Sequence, residues 1–166
     1  ECLGLVGGAI WTRSGRITVP HAERALADKE SQRWLRTAER AKTVLSAAAM
    51  VTVIADRESD IYTEWATLPT ANFHLLTRAM QDRRVVEGGT LYAAISALPV
   101  AATRQLPLPR RSANPNLQSA TVELRFARLN IRRSKNDKTI RHLPESVSLT
   151  AIEVFEPEPP EGLEPI

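Results

Sequence analysis

An α/β first half followed by a mainly β second half is the fold class that the sequence predicts, on three observations. One amphipathic helix dominates the early chain. Two short, β-branched apolar runs follow it with a helical stretch between them. Beyond Arg78 the apolar residues recur at a spacing of two rather than three or four. The helix has Trp34, Leu35, Ala38, Ala41, Val44, Leu45, Ala48 and Ala49 on one side, and Lys29, Glu30, Arg33, Arg36 and Glu39 mostly on the other. Asp28 is its N-cap, which predicts some five turns. Residues 50–55, Met-Val-Thr-Val-Ile-Ala, are too few for a helix of their own and read as a buried strand ending on Asp56. Ser59 or Asp60 is placed to cap a short helix through Leu68, which Pro69 stops. Residues 73–79 form the next strand, and strand–helix–strand in this order predicts a right-handed crossover in a parallel sheet. Ahead of the long helix, residues 3–11, the Ser14-Gly15 turn and residues 16–19 read as a hairpin or a strand with a loose return.

In the second half a short helix is predicted over residues 90–98, between Gly88-Gly89 and Pro99, and strands over 103–108, 120–128, 129–133 and 146–155. Alternation is clearest where Val122, Leu124 and Phe126 interleave with Glu123 and Arg125. Pro107, Pro109, Ser112, Asn114 and Pro115 make a loop, and Asn136-Asp137 a tight turn. From Glu153 onward five glutamates and four prolines stand without a basic residue, the composition of an extended terminus. The predicted division is residues 1–80 and residues 81–166.

With 166 residues the chain has room for one ordinary domain or two small ones. A hydrophobic content of 43% and a charged content of 25% exclude wholesale disorder. No apolar run approaches the ~20 residues of a membrane-spanning helix. The single cysteine, Cys2, excludes a disulfide framework and a cysteine-based zinc site, and fits a reducing interior. The chain opens on Glu1 without a leader pattern or an initiator methionine, which reads as a piece of something longer. The net charge of +3 is unevenly laid out: residues 78–141 hold 13 Lys and Arg against four Asp and Glu, the remainder nine against 15. A basic region facing a polyanion and a solvated basic face that binds nothing in particular are both open on this ground.

The sharpest local feature is Asp56-Arg57-Glu58-Ser59-Asp60-Ile61. A carboxylate at the carboxyl end of a buried parallel strand sits where open α/β sheets place their ligands, and closely spaced acids suit Mg²⁺. The plainer reading is a strand-to-helix turn in which Asp60 caps the helix and Glu58 favours its N-terminus. Three arginine pairs, Arg83-Arg84, Arg110-Arg111 and Arg132-Arg133, with Lys135 and Lys138, have the chemistry of phosphate contacts; basic strand ends are the alternative.

The strand ending in Asp56 to Ile61 resembles the second-aspartate motif of bacterial DDE transposases of the insertion-sequence-four family. Four other stretches agree in order: Asp28-Lys29-Glu30-Ser31 with Trp34-Leu35; Phe73-His74-Leu75-Leu76-Thr77-Arg78; Glu87-Gly88-Gly89-Thr90-Leu91-Tyr92; and residues 147–160. The resemblance spans nearly the whole chain and implies part of an RNase H-like core, a mixed sheet with helices, carrying an inserted mainly β subdomain. It implies metal-dependent phosphodiester cleavage and strand transfer with two Mg²⁺ or Mn²⁺ ions held by three carboxylates. Asp56 is the one position carried over as a catalytic metal ligand. Arg57 and Glu58 would orient the motif from behind, and Arg78 would meet phosphate or pair with the acidic site. Arg83, Arg84, Arg110, Arg111, Arg132, Arg133 and Lys135 would contact double-stranded DNA at the transposon ends. The partner aspartate and glutamate are expected before Glu1 and after Ile166, so this chain by itself is expected to be inactive. A homodimer in a synaptic complex and a bacterial cytoplasmic setting complete what the resemblance implies. A non-catalytic DNA-binding or regulatory protein, inhibitor-like and derived from a transposase, is the rival reading, and a bare structural domain is the third.

Overall fold

The computed structural model describes residues 4–8, 32–107 and 119–159. Among them the chain is mixed α/β and divides into two units. One runs up to Gln81 and takes in Arg133–Val147, and the other is built from Asp82–Arg132 with the chain from Ser148 onward. The return of residues 133–147 to the first unit is absent from the sequence division at residue 80.

In the first unit, helix α1 (Gln32–Val44) precedes strand β1 (Val51–Ala55). After a 3₁₀ turn at Arg57–Ser59 come α2 (Tyr62–Thr67) and β2 (Phe73–Thr77). The two strands pair in parallel with Val51 opposite Phe73 and Ala55 opposite Thr77, as the strand–helix–strand order predicts. Ala38, Leu68 and Phe73 form the buried centre, with Leu35, Val51 and Val53 packed against it. Lys42 closes the far end of α1, its Nζ donating to the Leu68 carbonyl at 2.8 Å and lying 5.5 Å from the Phe73 ring centroid. The helix is shorter at its C-terminus than its apolar spacing predicts. It gives way to turns after Val44, where Val44 is 57% exposed and Ala47 and Ala49 meet solvent, so little apolar burial holds the alanine run helical. The predicted N-cap Asp28 lies outside the described residues, as does the predicted hairpin except for residues 4–8, which form no strand. The second face of the sheet, with Thr52, Ile54, His74 and Leu76, is open, Ile54 being 76% and Leu76 49% exposed.

The second unit contains α3 (Leu91–Ser96), β3 (Ala102–Pro107), β4 (Ser119–Arg132) and most of β5 (Ser146–Phe155). The three strands form one sheet in the order β3-β4-β5, with β3 and β4 antiparallel. Residues 84–90 fold back on themselves through Gly88 and Gly89, whose φ of 111° and 74° favour glycine. Val85 then bridges to Ile131 and is buried with it, while Leu91 and Ile95 bury one side of α3, which packs on β4. One continuous β4 replaces the two strands predicted over 120–128 and 129–133. Its buried positions change parity along the way, from Ala120 and Val122 to Leu129 and Ile131, so no single alternation describes it. Phe126, predicted on the apolar face, is 57% exposed. Arg125, predicted on the polar face, is half-buried between Glu123 and Glu153 and donates from Nε to the Leu98 carbonyl. The predicted loop beyond Pro107, and the tail beyond residue 159, lie outside the described residues. Among the described residues no helix is long and apolar enough to cross a membrane.

Candidate functional site

Parallel pairing brings the carboxyl ends of β1 and β2 to one edge, so the residues that follow the Ala55–Thr77 pair, Asp56 and Arg78, leave the sheet side by side in register. Thr77 reinforces this edge, its Oγ1 donating to the Asp56 carbonyl at 3.0 Å. Asp56 has an extended backbone, and its Oδ1 accepts from the Glu58 amide at 2.9 Å, which starts the 3₁₀ turn. The role that the plainer reading gave Asp60 therefore belongs to Asp56, one turn earlier. Neither Ser59 nor Asp60 caps α2: its N-cap is Ile61, with no side-chain cap bond.

Asp60 instead reaches across sequence. It is buried, and its Oδ2 accepts from the amides of Met80 and Gln81 at 2.7 and 2.8 Å. The chain leaving β2 is thereby tied to the turn leaving β1, with Arg78 two residues before the tie. Glu58 faces the other way, accepting from the Arg33 guanidinium and, at 3.3 Å, from Trp34 Nε1, which ties the turn to α1. Ser59 is buried beneath the turn and donates from Oγ to Glu64 Oε2. Glu64 on α2 is only 1% exposed. Burial pushes its pKa up to about 7, against a smaller lowering by the Ser59 hydroxyl. Its Oε1 has no hydrogen-bond partner among the described residues.

Sequence reasoning named Asp56, Arg57, Glu58 and Arg78, and all four come from the first unit. Asp56, Arg57 and Arg78 are exposed, and the Arg78 side chain makes no ion pair or hydrogen bond among the described residues. Sequence reasoning missed the tie made by Asp60 and the support supplied by Thr77 and Glu64. The Ser59–Glu64 spacing of five residues was the one available signal for the last.

The acids do not converge. Glu58, itself exposed, is paired with Arg33, Asp60 is spent on two amides, and Glu64 lies beneath the turn. This leaves Asp56, with its Oδ1 on the Glu58 amide, as the exposed carboxylate of the four that makes no ion pair among the described residues. Among the described residues no group of three His, Cys, Asp or Glu side chains could hold a metal ion. The residues present thus do not fit a two-ion centre, and Asp56 offers it one ligand.

The predicted DNA-contacting residues divide between the units. In the second, Arg84 is exposed beside its bridge to Thr90, Arg83 is half-buried, and Arg132 donates from Nη2 to the Val86 carbonyl at 3.3 Å. In the first, Arg133 turns its Nη1 onto the carbonyls of Ile140, Arg141 and Leu143, and Lys135 is exposed. Arg110 and Arg111 lie outside the described residues. A surface hollow of about 410 Å³ lined by Glu39, Lys42, Thr43, Thr67 and Leu68 has none of these residues in its wall. In comparison with known proteins, no family model matches the chain and no curated protein matches it.

Proposed function

We propose that the chain is the central part of a DDE transposase of the insertion-sequence-four type, an RNase H-like core portion interrupted by a β-rich insertion. The observation that carries the reading is the parallel register that sets Asp56 and Arg78 at one sheet edge, with the turn between β1 and α2 anchored from α1, α2 and the chain after β2. This is the ligand-bearing end of an open parallel sheet. Asp56 supplies one carboxylate for Mg²⁺ or Mn²⁺, and Arg78 supplies an unspent guanidinium for a DNA phosphate. Arg57 stands beside them, and Glu58 orients the turn through Arg33 and Trp34. The remaining two carboxylates belong to the parent protein, and the isolated chain is inactive in strand cleavage.

The test is Mg²⁺-dependent cleavage of transposon-end duplex by the full-length parent carrying Asp56→Ala. A loss greater than the ~100-fold that changes behind a ligand typically cost is expected, with DNA binding kept. Retained cleavage overturns the reading. The rival, a non-catalytic DNA-binding or regulatory protein, draws on the failure of the motif's carboxylates to converge among the described residues. It is distinguished by a wild-type parent that binds the duplex and never cuts it.

A further inference from the structure

The segment Arg133–Val147 returns to the unit that holds Asp56, and its construction is unusually fixed for a surface loop. Arg133 closes the neck: Nη1 converges on the carbonyls of Ile140, Arg141 and Leu143, and its amide donates to the Glu145 carbonyl at 2.8 Å. Asp137 fixes the tip, where Oδ1 accepts from the amide and hydroxyl of Thr139 at 2.9 and 2.6 Å and starts the 3₁₀ turn Lys138–Ile140. Ile140, the last residue of that turn, is buried, at 8% exposed. Tyr62 holds the base, its hydroxyl donating to the Pro144 carbonyl at 2.9 Å, which ties the loop to α2, the helix that follows the Asp56 turn.

Lys135, Lys138 and Arg141 are exposed on this scaffold at a spacing of three residues. Among the described residues none of the three side chains makes an ion pair or a hydrogen bond. The acid within the loop, Asp137, is turned onto Thr139. Three unspent cations on a backbone fixed at neck, tip and base bind a polyanion with little ordering cost. The loop has no aromatic residue other than His142 for stacking unpaired bases and no apolar face for a lipid interface, so an intact nucleic-acid backbone fits it best.

We infer that residues 134–142 are a preformed contact for the sugar-phosphate backbone of duplex DNA, with Lys135, Lys138 and Arg141 touching phosphate and Arg133 shaping the loop. The choice of DNA as the polyanion rests on the transposase reading.

The test is binding of a fluorescent 30-base-pair DNA duplex by the 166-residue chain across a NaCl series. The triple variant K135A/K138A/R141A is expected to bind at least about tenfold more weakly near 0.1 M salt. Its slope of log affinity on log salt is expected to flatten by about three, one unit per lost phosphate contact. Arginine at Lys135 and Lys138 should keep the wild-type slope. Wild-type binding with an unchanged triple variant overturns the loop contact and leaves the transposase reading standing. No wild-type binding at 20 mM salt overturns both. Tighter competition by duplex RNA or by phosphatidylserine vesicles overturns the choice of partner. For Arg133, the variant Arg133→Lys keeps the charge and is expected to speed tryptic cleavage at Lys135, Lys138 and Arg141 severalfold. Unchanged cleavage overturns its shaping role.

Discussion

Between Asp56 and Glu64 the chain places four carboxylates in nine residues, and each of them holds backbone or a neighbouring element in place. Around Arg125 in β4, two carboxylates, Glu123 and Glu153, flank one guanidinium at 3.0 and 2.8 Å, with all three side chains between 17% and 27% exposed. Glu153 is held below the usual carboxylate range, first by Ser96 and then by Arg125. The first cluster spends charge on geometry, since Asp60 and Glu64 each join segments that would otherwise leave the sheet edge independently. The second neutralises a strand arginine close to water, where ion pairs contribute little. A carboxylate's energetic weight here follows what it holds and how deeply it is buried.

The largest effect is expected where the buried Asp60 carboxylate is removed and two part-buried amides lose their shared acceptor. Asp60→Ala should lower the stability of the first unit by about 3 to 4 kcal/mol. Urea unfolding followed by tryptophan fluorescence reads it, because all three tryptophans precede residue 66. A cost below about 1 kcal/mol would put Asp60 in the same class as Arg125 and erase the contrast.

The next effect is a pH dependence. Glu64 has a folded pKa raised to about 7 from an ordinary 4.5. The folded state therefore holds the extra proton between those values, and the contribution is fully present below pH 4.5 and lost as pH rises through 7. The stability difference between wild type and Glu64→Gln should shift by about 2 to 3 kcal/mol against the wild type from pH 4.5 to 8. A difference that stays flat across that range means that water reaches the carboxylate.

The smallest effect belongs to the second cluster. Arg125→Met should cost about 1 kcal/mol, because Glu123 and Glu153 keep access to solvent once unpaired. Amide hydrogen exchange in β4 and β5 measures it locally. A loss comparable to Asp60→Ala would show that these pairs, too, organise backbone.

Much of this was legible in sequence where local rules decide. The β-branched run after α1, the Pro69 stop, the glycine pair before α3 and the bounds of β5 all follow from residue type and spacing, and the parallel pairing follows from element order. The place of Asp56 at the end of β1 was legible as well, since a carboxylate that closes a β-branched apolar run is a local pattern; the burial expected of that run was not met, for Ile54 is 76% exposed. Asp60 was not, because its partners lie 20 and 21 residues away and are amides, which every residue except proline carries. Glu64 reads as a solvated helix position, and only tertiary packing buries it. In β4 the parity change hides the continuous strand, for burial is set by what packs at each end and a single alternation assumes one neighbour throughout.

The bond from Tyr62 to the Pro144 carbonyl spans 82 residues of sequence. It sets an order of assembly. During synthesis the segments from α1 to β2 emerge first, yet the unit they belong to is completed by Arg133–Val147. At 5–20 residues per second those last pieces follow Gln81 by roughly 3 to 13 s. Throughout that interval the Asp56 turn has its supports from α1, α2 and the chain after β2 but not the loop that Tyr62 holds, while Asp82–Arg132 is already available to fold. Each unit thus waits on a segment made after the other has begun: the first closes when the chain returns from Arg132, and the second only with the strand that runs on from Ser148.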